Sequence, residues 1–330
     1  MVKQGSVAII TPCYNGEKYL DTWFDCIMSQ TYPNVEILVV DDGSTDNSAE
    51  KLKSYEQRFT EKGYSFHYYY QENAGIAAAI QLAIKDVNTD YIYLYDTDDC
   101  IYENAIETMA NFLNVNANYD MVRCNGYYTR NLPGNKDGTF YTNDELKNKE
   151  HIFTSLIKAE MVNWPASYMV RSIALFEKLK NREIYISRFG QDMQIMLPVA
   201  YGGKCGYIDE PLMEYTIRED SDSHKGDYKR KAYMTDGYTK NRIETIKMLD
   251  MPDKEREHYI RLAQEACVSR KLELMYECGN KDMYYQEYKR LKEEGKIDRS
   301  TRLNYLKRRH RVLNFFARVQ NKLVRILCKR

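Results

Sequence analysis

The sequence predicts an α/β fold with a Rossmann-like, mostly parallel sheet that is flanked by helices and followed by a helical extension. Two observations predict this class. In the first 130 residues, short continuous apolar runs alternate with stretches in which apolar residues recur every three or four positions. After residue 226 the helical spacing continues almost without strand-like runs. Alternating strands and helices are typical of a parallel sheet that is covered on both faces.

Four predicted strands account for the first part of this pattern, and they span residues 7–10, 36–40, 65–71 and 91–95. The first strand, Val-Ala-Ile-Ile, is apolar at every position, which is typical of a parallel strand buried on both faces. In open parallel sheets, ligands bind beyond the carboxyl ends of the strands. We therefore expect the functional site just after these four segments.

The helices between the strands are predicted from their apolar faces. The first helix has Asn15 as its predicted N-cap and Pro33 just past its end. Further helices are predicted over residues 46–59 and 75–85 and around residues 106–113. The apolar face of the first helix comprises Leu20, Trp23, Phe24, Ile27 and Met28.

The chain is predicted to form two units, an α/β domain over residues 1–225 and a helical extension over residues 226–330. The extension ends in a basic segment, residues 299–330, with eleven lysines and arginines and no acid. Leucines recur through it at roughly helical spacing, which predicts a basic amphipathic helix. Later strands of the α/β domain are expected near residues 121–128, 168–171 and 204–217.

Composition and charge exclude several classes of protein. Lysine plus arginine equals aspartate plus glutamate, 48 each, so any charge asymmetry is local. The eight cysteines form no CxxC pair, and we expect reduced thiols in a cytoplasmic protein. The sequence contains no run of 18 apolar residues, so we expect no membrane span. The apolar stretch that ends at Pro12 is too short for the core of a signal peptide.

Two acidic clusters follow the second and fourth predicted strands. Residues 41–46 read Asp-Asp-Gly-Ser-Thr-Asp, and residues 96–99 read Asp-Thr-Asp-Asp. Carboxylates this close repel one another unless a cation or donor groups neutralise them. Oxygen ligands without histidine favour Mg²⁺ or Mn²⁺ over zinc, and a nucleotide diphosphate would complete the coordination.

Plainer explanations exist for parts of both clusters. Thr45 or Asp46 could cap the following helix, and residues 96–99 could form a solvated turn. A single Asp-x-Asp triplet occurs often by chance. Asp42 is harder to explain in this way because it lies at the strand tip before a glycine, and two acidic clusters on one ligand-binding edge are stronger support.

Five motifs follow one another along the chain: Ile10-Thr11-Pro12-Cys13-Tyr14-Asn15, Ser29-Gln30-Thr31-Tyr32, Val39-Val40-Asp41-Asp42-Gly43-Ser44-Thr45-Asp46, Asn73-Ala74-Gly75 and Asp96-Thr97-Asp98-Asp99. Together they resemble the motifs of the family 2 glycosyltransferases with the GT-A fold, of the bacterial surface-polysaccharide or lipopolysaccharide type. The resemblance covers roughly residues 5–220 and implies a nucleotide-sugar half (1–105) and an acceptor half (106–225).

The resemblance implies donor-site roles for particular residues. Thr11, Pro12 and Tyr14 are similar to the loop after the first strand that holds the uracil and ribose. Asp42 resembles the aspartate that hydrogen-bonds the base, and Asn73 belongs to the same donor-binding set.

The residues Asp96 and Asp98 resemble the DxD pair, with Asp98 as the implied metal ligand and Asp99 as a second candidate. The metal, Mn²⁺ or Mg²⁺, would offset the charge that builds on the departing diphosphate. One departure concerns the helix after the Asn-Ala-Gly loop. Many relatives have Ala-Arg-Asn where this chain has Ala79-Ile80-Gln81, so the arginine and its donor contact are missing.

Asp192 is implied to be the general base that deprotonates the acceptor hydroxyl, in an inverting displacement. It follows Gln191, which stands where the family has glutamate. A second possibility is that Asp192 only caps the helix that follows it.

The acceptor side is implied to include Trp164, although a lone tryptophan can equally be a core residue. Arg218 and His224 resemble a loop that folds over the diphosphate, with a solvated loop as the alternative.

The resemblance implies an inverting glycosyltransferase that uses a nucleotide-sugar donor, expected to be a UDP-sugar, and a glycan or lipid-linked glycan acceptor. The basic segment 299–330 suggests contact with an anionic membrane surface, or else a solvated helix. Nucleic-acid binding is disfavoured because no RNA-binding motif accompanies the charge. A nucleotidyltransferase should have a glycine-rich basic loop after the first strand, and this chain does not. A catalytically weak sugar-nucleotide-binding protein is disfavoured by Asp98 and Asp192.

Overall fold

The computed structural model describes residues 5–130, 136–162, 164–217, 226–297 and 299–309. In these ranges the chain forms a nine-stranded mixed sheet and thirteen α-helices. The strands are β1 (Val7–Cys13), β2 (Val35–Asp41), β3 (Ser65–Tyr70), β4 (Tyr91–Leu94), β5 (Cys100–Ile101), β6 (Met121–Thr129), β7 (Lys136–Thr139), β8 (Tyr168–Arg171) and β9 (Cys205–Thr216).

The sheet has the strand order β3-β2-β1-β4-β8-β6-β9-β5, with β7 paired to β6. The first four strands in this order are parallel to one another. Strand β8 runs antiparallel to both of its neighbours, and β6 and β9 are parallel. The predicted α/β class with a mostly parallel N-terminal sheet is therefore confirmed.

Helices cover the sheet and continue into the extension. Within the described ranges none of them combines the length and apolar character that crossing a bilayer requires. The helices are α1 (Leu20–Met28), α2 (Ser48–Ser54), α3 (Glu56–Glu61), α4 (Ile76–Ile84), α5 (Ala105–Val115), α6 (Asp144–Lys147), α7 (Phe153–Ile157), α8 (Ser172–Phe176), α9 (Met193–Ala200), α10 (Tyr228–Met248), α11 (Asp253–Glu277), α12 (Lys281–Glu293) and α13 (Arg299–Arg309).

Strand β1 is buried on both faces, as its sequence predicts. Val7 and Ile9 pack into one hydrophobic cluster, while Ala8 and Ile10 pack into another on the opposite face. Because successive side chains of a strand point to opposite faces, a continuous apolar run requires cover on both sides. Helix α4 supplies that cover on one face and helices α1 and α5 on the other.

Two local predictions are wrong. Asn15 is not the N-cap of α1, which begins at Leu20 with Tyr19 at the cap position. Asn15 instead has a φ of 50°, and its side-chain oxygen accepts a hydrogen bond from the Thr45 N–H at 2.8 Å. Asparagine tolerates this left-handed conformation because its short polar side chain bonds locally, so it links two loops. The predicted helix over residues 46–59 is also interrupted, at Tyr55, into α2 and α3.

The extension shares the core of the α/β domain through its first two helices. Ile246, at the end of α10, and Ala263, in α11, belong to the cluster that also contains Ile10 of β1. Helices α12 and α13 pack around a separate aromatic cluster that includes Tyr284 and Tyr288. The predicted basic C-terminal helix is present as α13 over Arg299–Arg309, and residues 310–330 lie outside the described residues.

Candidate active site

The strand order brings the predicted donor-site residues to one edge of the sheet. Strands β2, β1 and β4 are neighbours and run in the same direction, so their carboxyl ends lie side by side. Asp42 follows β2, Tyr14 follows β1, and Asp96 follows β4. These segments are 28 to 82 positions apart in the chain and meet only because the crossover helices return each strand to the same edge.

Asp42 organises the loop that follows β3. Its carboxylate is 3% exposed and accepts hydrogen bonds from the Gln71 side-chain amide at 2.6 Å and from the backbone N–H groups of Ala74 and Gly75, both at 2.8 Å. The Asn73 amide donates to the Asp42 carbonyl oxygen at 3.1 Å. Gly75 has a φ of +95°, a conformation that side-chain-bearing residues rarely adopt. A direct hydrogen bond therefore joins Asp42 and Asn73, which are both predicted donor-site residues.

The other two aspartates of the first acidic cluster, Asp41 and Asp46, accept hydrogen bonds from nearby protein groups. The Asp41 carboxylate accepts hydrogen bonds from the Ser44 N–H at 2.8 Å and from the Tyr68 hydroxyl at 2.9 Å. Asp46 accepts the Ser48 N–H at 3.0 Å, at the start of α2. The interpretation of Asp46 as a capping residue is thus supported, because it satisfies one of the unpaired N–H groups of the first turn.

The three residues predicted at the end of β1 differ in exposure. Strand β1 continues to Cys13, so Thr11 and Pro12 are buried strand residues rather than loop residues. The Thr11 hydroxyl accepts a hydrogen bond from the Trp23 indole N–H at 3.2 Å. Tyr14 is 53% exposed and presents its ring at the edge of the sheet. Of the three side chains, only that of Tyr14 is open to a ligand.

The second acidic cluster forms the turn between β4 and β5. Asp96 and Asp98 are half-buried, whereas Asp99 is 2% exposed and accepts a hydrogen bond from the Thr216 N–H at 3.0 Å. Among the described residues, no group of three or more acidic, histidine or cysteine side chains converges as a metal cage. One or two carboxylates with phosphate oxygens suffice for a nucleotide-bound divalent cation. The oxygen donors of this turn fit that arrangement.

Gln191 connects this turn with the predicted base. Its side-chain amide donates a hydrogen bond to the Asp96 carboxylate at 3.2 Å. Asp192, the next residue, is 5% exposed and accepts a hydrogen bond from the Tyr168 hydroxyl at 3.2 Å. Burial raises the pKa of Tyr168, and the neighbouring Asp192 carboxylate raises it further, so the hydroxyl remains a donor. The structure thus brings the segment of the predicted base, Asp192, next to the acidic turn that contains Asp96.

Asp192 occupies the position before the first residue of α9, but its side chain makes no capping hydrogen bond. The carboxylate instead contacts Tyr168, which lies in strand β8 beside β4. The position of Asp192 therefore allows a cap, while its side-chain contact does not support that role.

The helical extension supports the loop that carries Asp192, which the sequence does not predict. Asn241 of α10 is 1% exposed, and its amide donates to the carbonyl oxygens of Phe189 at 2.7 Å and Gly190 at 3.3 Å. It also donates to the side-chain oxygen of Gln194 in α9 at 3.0 Å. Helix α10 is rich in polar residues, so nothing in the local sequence distinguishes Asn241 as a residue that supports this loop.

Trp164 belongs to an aromatic group at the ends of β6 and β9. Its indole ring is half-buried and stacks on the Tyr215 ring, with centroids 4.3 Å apart and planes inclined by 16°. Its N–H donates to the Tyr128 hydroxyl at 3.5 Å. Tyr215 therefore covers one face of the indole. Arg218 and His224, the predicted diphosphate-loop residues, lie outside the described residues.

Two thiols lie directly beside the acidic turn. The sulfur atoms of Cys26 in α1 and Cys100 in β5 are 3.0 Å apart, and Cys100 follows Asp99 in the chain. The hydrogen bond from Cys100 lowers the pKa of the Cys26 thiol, against the effect of burial. All seven cysteines in the described ranges are free thiols, and Cys328 lies outside them.

Comparisons with known proteins identify the family of the chain. The family model for glycosyl transferase family 2 matches residues 8–183. The chain is 31% identical over 236 residues to glycosyltransferase GlyA of Streptococcus pneumoniae, which corresponds to 67% of this chain and 32% of GlyA. The chain spans about a third of the length of several curated relatives that it matches, including GlyA.

Solved structures share the fold at low sequence identity. TarS 1–349 of S. aureus, in complex with UDP-GlcNAc, has a TM-score of 0.59 at 17% identity, over 80% of this chain and 73% of that chain. The mannosyltransferase PcManGT from Pyrobaculum calidifontis, in complex with GDP-Man and Mn²⁺, has a TM-score of 0.52 at 15% identity, over 84% and 76%. With the predicted GT-A architecture confirmed and the family model matching more than half of its length, the chain belongs to glycosyl transferase family 2.

Proposed function

We propose that this enzyme transfers a sugar from a UDP-sugar to a hydroxyl group of a glycan or lipid-linked glycan, with inversion at the anomeric carbon. The observation that supports the proposal is the hydrogen bond from Gln191 to Asp96, because Gln191 immediately precedes Asp192, the proposed base, and Asp96 belongs to the proposed DxD pair. The UDP-GlcNAc bound to TarS supports a nucleotide-sugar donor. The sequence resemblance supports a role in the assembly of a bacterial surface polysaccharide.

In the proposed reaction Asp192 accepts the proton of the acceptor hydroxyl as its oxygen attacks the anomeric carbon. The bond from that carbon to the diphosphate oxygen breaks on the opposite face, and the nucleoside diphosphate leaves. A positioned general base contributes a factor of about 10² to 10⁴ to the rate. The Tyr168 hydroxyl orients the Asp192 carboxylate through the hydrogen bond described above, and Trp164 forms part of the acceptor wall.

A divalent cation, Mn²⁺ or Mg²⁺, would be held by Asp98 together with the donor phosphates. When bound, it stabilises the negative charge on the leaving diphosphate. Asp99 is the less accessible of the two predicted ligands, because it is buried and accepts the Thr216 N–H. The Mn²⁺ in PcManGT supports metal use in this fold.

Donor choice is tested by thermal shift of the full chain with UDP-, GDP- and dTDP-sugars, with and without Mn²⁺. A ligand at 100 times its Kd stabilises the folded state by about 2.7 kcal/mol. We expect the largest increase in melting temperature with a UDP-sugar and Mn²⁺. A larger increase with a GDP- or dTDP-sugar would refute the choice of uridine.

The catalytic roles are tested with Asp98→Ala and Asp192→Asn, assayed by release of UDP with a glycan acceptor. Both variants should lose transfer, and Asp192→Asn should retain donor binding. Asp282→Asn is the matched control, since Asp282 is an exposed aspartate of α12. Near-normal rates in Asp98→Ala and Asp192→Asn would contradict the assignment.

The same assay separates the two alternative functions. A sugar-nucleotide-binding protein without catalysis would show the thermal shift but no release of UDP from the wild-type chain. A nucleotidyltransferase would consume a nucleoside triphosphate and a sugar phosphate and release pyrophosphate. Detection of either pattern would replace the proposed function.

We also propose that the enzyme works in the cytoplasm at an anionic membrane surface, through the basic segment 299–330. The described part of that segment, α13, carries Lys307, Arg308 and Arg309 in its last turn. Sedimentation with anionic lipid vesicles should fall after truncation at residue 298. Unchanged sedimentation of the truncated chain would overturn this part.

A further inference from the structure

A single arginine reaches the start of helix α4 from a distant part of the chain. The Cγ atom of Arg188 lies 3.7 Å from the position that a Cβ of Gly75 would occupy. The Gly75 N–H donates to the Asp42 carboxylate at 2.8 Å. The side chain of Arg188 therefore lies over the loop that Asp42 organises, at the edge of the donor site.

The backbone on both sides of Arg188 is anchored. On one side, the Gln81 side-chain amide donates to the Arg182 carbonyl oxygen at 3.0 Å and accepts the Ile184 N–H at 2.7 Å. On the other side, Asn241 holds the Phe189 carbonyl oxygen at 2.7 Å. A connecting segment pinned to α4 and to α10 holds Arg188 in place without a helix or strand of its own.

The acidic turn after β4 bounds the other side of this position. Gln191, three residues after Arg188, donates to the Asp96 carboxylate. The segment that carries Arg188 therefore contacts the loop of Asp42 at Gly75 and, three residues later, the turn of Asp96. Within residues 5–130, 136–162, 164–217, 226–297 and 299–309 it forms no ion pair, and its side chain is exposed.

A guanidinium group in this position is suited to an anion. Guanidinium groups bind phosphate oxygens through two parallel N–H donors. Helix α4, which begins directly after Gly75, carries no charged residue, and its Ile80 is 1% exposed within the hydrophobic core. The neighbouring Gln81 instead anchors the segment that leads to Arg188.

We propose that the Arg188 guanidinium binds the diphosphate of the nucleotide-sugar donor, supplying from the connecting segment the positive charge that α4 lacks. This inference rests on the proposed function. It assigns Arg188 a donor-binding role that depends on the diphosphate and not on the base or ribose.

The test compares UDP, which carries the diphosphate, with uridine, which does not. Binding is measured by titration calorimetry for UDP and by ligand-observed NMR for uridine, with wild type, Arg188→Ala, Arg188→Lys and Lys180→Ala. Lys180→Ala removes a positive charge from an exposed lysine eight positions earlier. We expect Arg188→Ala to weaken UDP about 10- to 100-fold, Arg188→Lys to restore part of the loss, and uridine binding to stay unchanged.

Two results would overturn the inference. UDP affinity in Arg188→Ala within twofold of wild type would exclude a diphosphate contact. An equal loss for UDP and uridine would show that Arg188 only maintains the shape of the site. If wild type binds UDP and Arg188→Ala does not differ, this inference fails while the proposed function stands. If wild type binds none of UDP, GDP and dTDP, both fail.

Discussion

Replacing Asn241 by alanine tests whether the helical extension supports the loop that leads to Asp192, the proposed base. Asn241 is 1% exposed, and its amide donates to Phe189 and Gly190 of the loop before Asp192 and to Gln194 of α9. Alanine lacks the amide nitrogen that donates all three hydrogen bonds. We expect the loop to lose its support from α10 and the protein to lose stability.

The magnitude follows from the acceptors left behind. The Phe189 carbonyl oxygen keeps a hydrogen bond from the Ser187 hydroxyl at 3.2 Å, and the Gly190 carbonyl oxygen keeps one from the Gln194 amide at 3.2 Å. Only the Gln194 side-chain oxygen loses its single partner among the described residues. A buried acceptor without a partner costs about 1–3 kcal/mol, so the expected loss of unfolding free energy is about 2 kcal/mol.

Thermal unfolding converts this loss into a measurable shift. An unfolding entropy of about 2.1 cal/mol/K per residue gives roughly 0.7 kcal/mol/K for 330 residues, so the melting temperature should fall by about 3 °C. Well below that temperature, kcat for transfer should also fall because Asp192 is less well positioned, while UDP affinity should change less.

Lys240→Ala provides the matched control, since Lys240 is the exposed neighbour of Asn241 on the same helix. Its unfolding free energy should stay within about 0.5 kcal/mol of wild type. An Asn241→Ala variant with an unchanged melting temperature and unchanged kcat would refute the reasoning. A loss of stability with kcat unchanged would limit Asn241 to a structural role.

Three further predictions concern neighbouring parts of the site. Alanine in place of a glycine inside a helix usually stabilises the folded protein by about 0.5–1 kcal/mol. Gly237→Ala should instead lower the melting temperature and kcat, because the new Cβ would lie 2.3 Å from the Phe189 ring. Since the hydrogen bond from Cys100 lowers the pKa of Cys26, the Cys26 thiolate forms at lower pH than an ordinary thiolate. Alkylation of Cys26, followed by mass spectrometry, should therefore rise at lower pH in wild type than in Cys100→Ala. If Trp164 belongs to the proposed acceptor wall, Trp164→Leu should raise the KM for the acceptor and leave UDP affinity unchanged, because leucine lacks the flat ring on which a sugar stacks.

Each of these predictions has an outcome that contradicts it. A higher melting temperature in Gly237→Ala would show that the Phe189 ring moves aside without cost. Identical pH profiles of alkylation with and without the Cys100 thiol would exclude the hydrogen bond as the cause. A parallel loss of UDP affinity and acceptor affinity in Trp164→Leu would place that ring in the core and not in the acceptor wall.

Much of the fold could be predicted because its signals are local. The apolar run of β1 predicted a strand buried on both faces, and the predicted strand at residues 168–171 coincides with β8. The short strands β5 and β7 and the helices α6 to α8 were not predicted. Segments of two to five residues contain too few positions to show a period, and partners elsewhere in the chain determine their conformation.

The sequence by itself determined the family, the order of the N-terminal elements and the acidic residues that follow strands β2 and β4. These features lie within short windows, where strand and turn preferences act directly on the chain. Only the tertiary structure decided which of these residues meet. Gln191 and Asp96 are 95 positions apart, and Asn241 and Phe189 are 52 apart. Such contacts depend on how helices pack on the sheet, because buried polar groups take whichever partner the packing brings within reach.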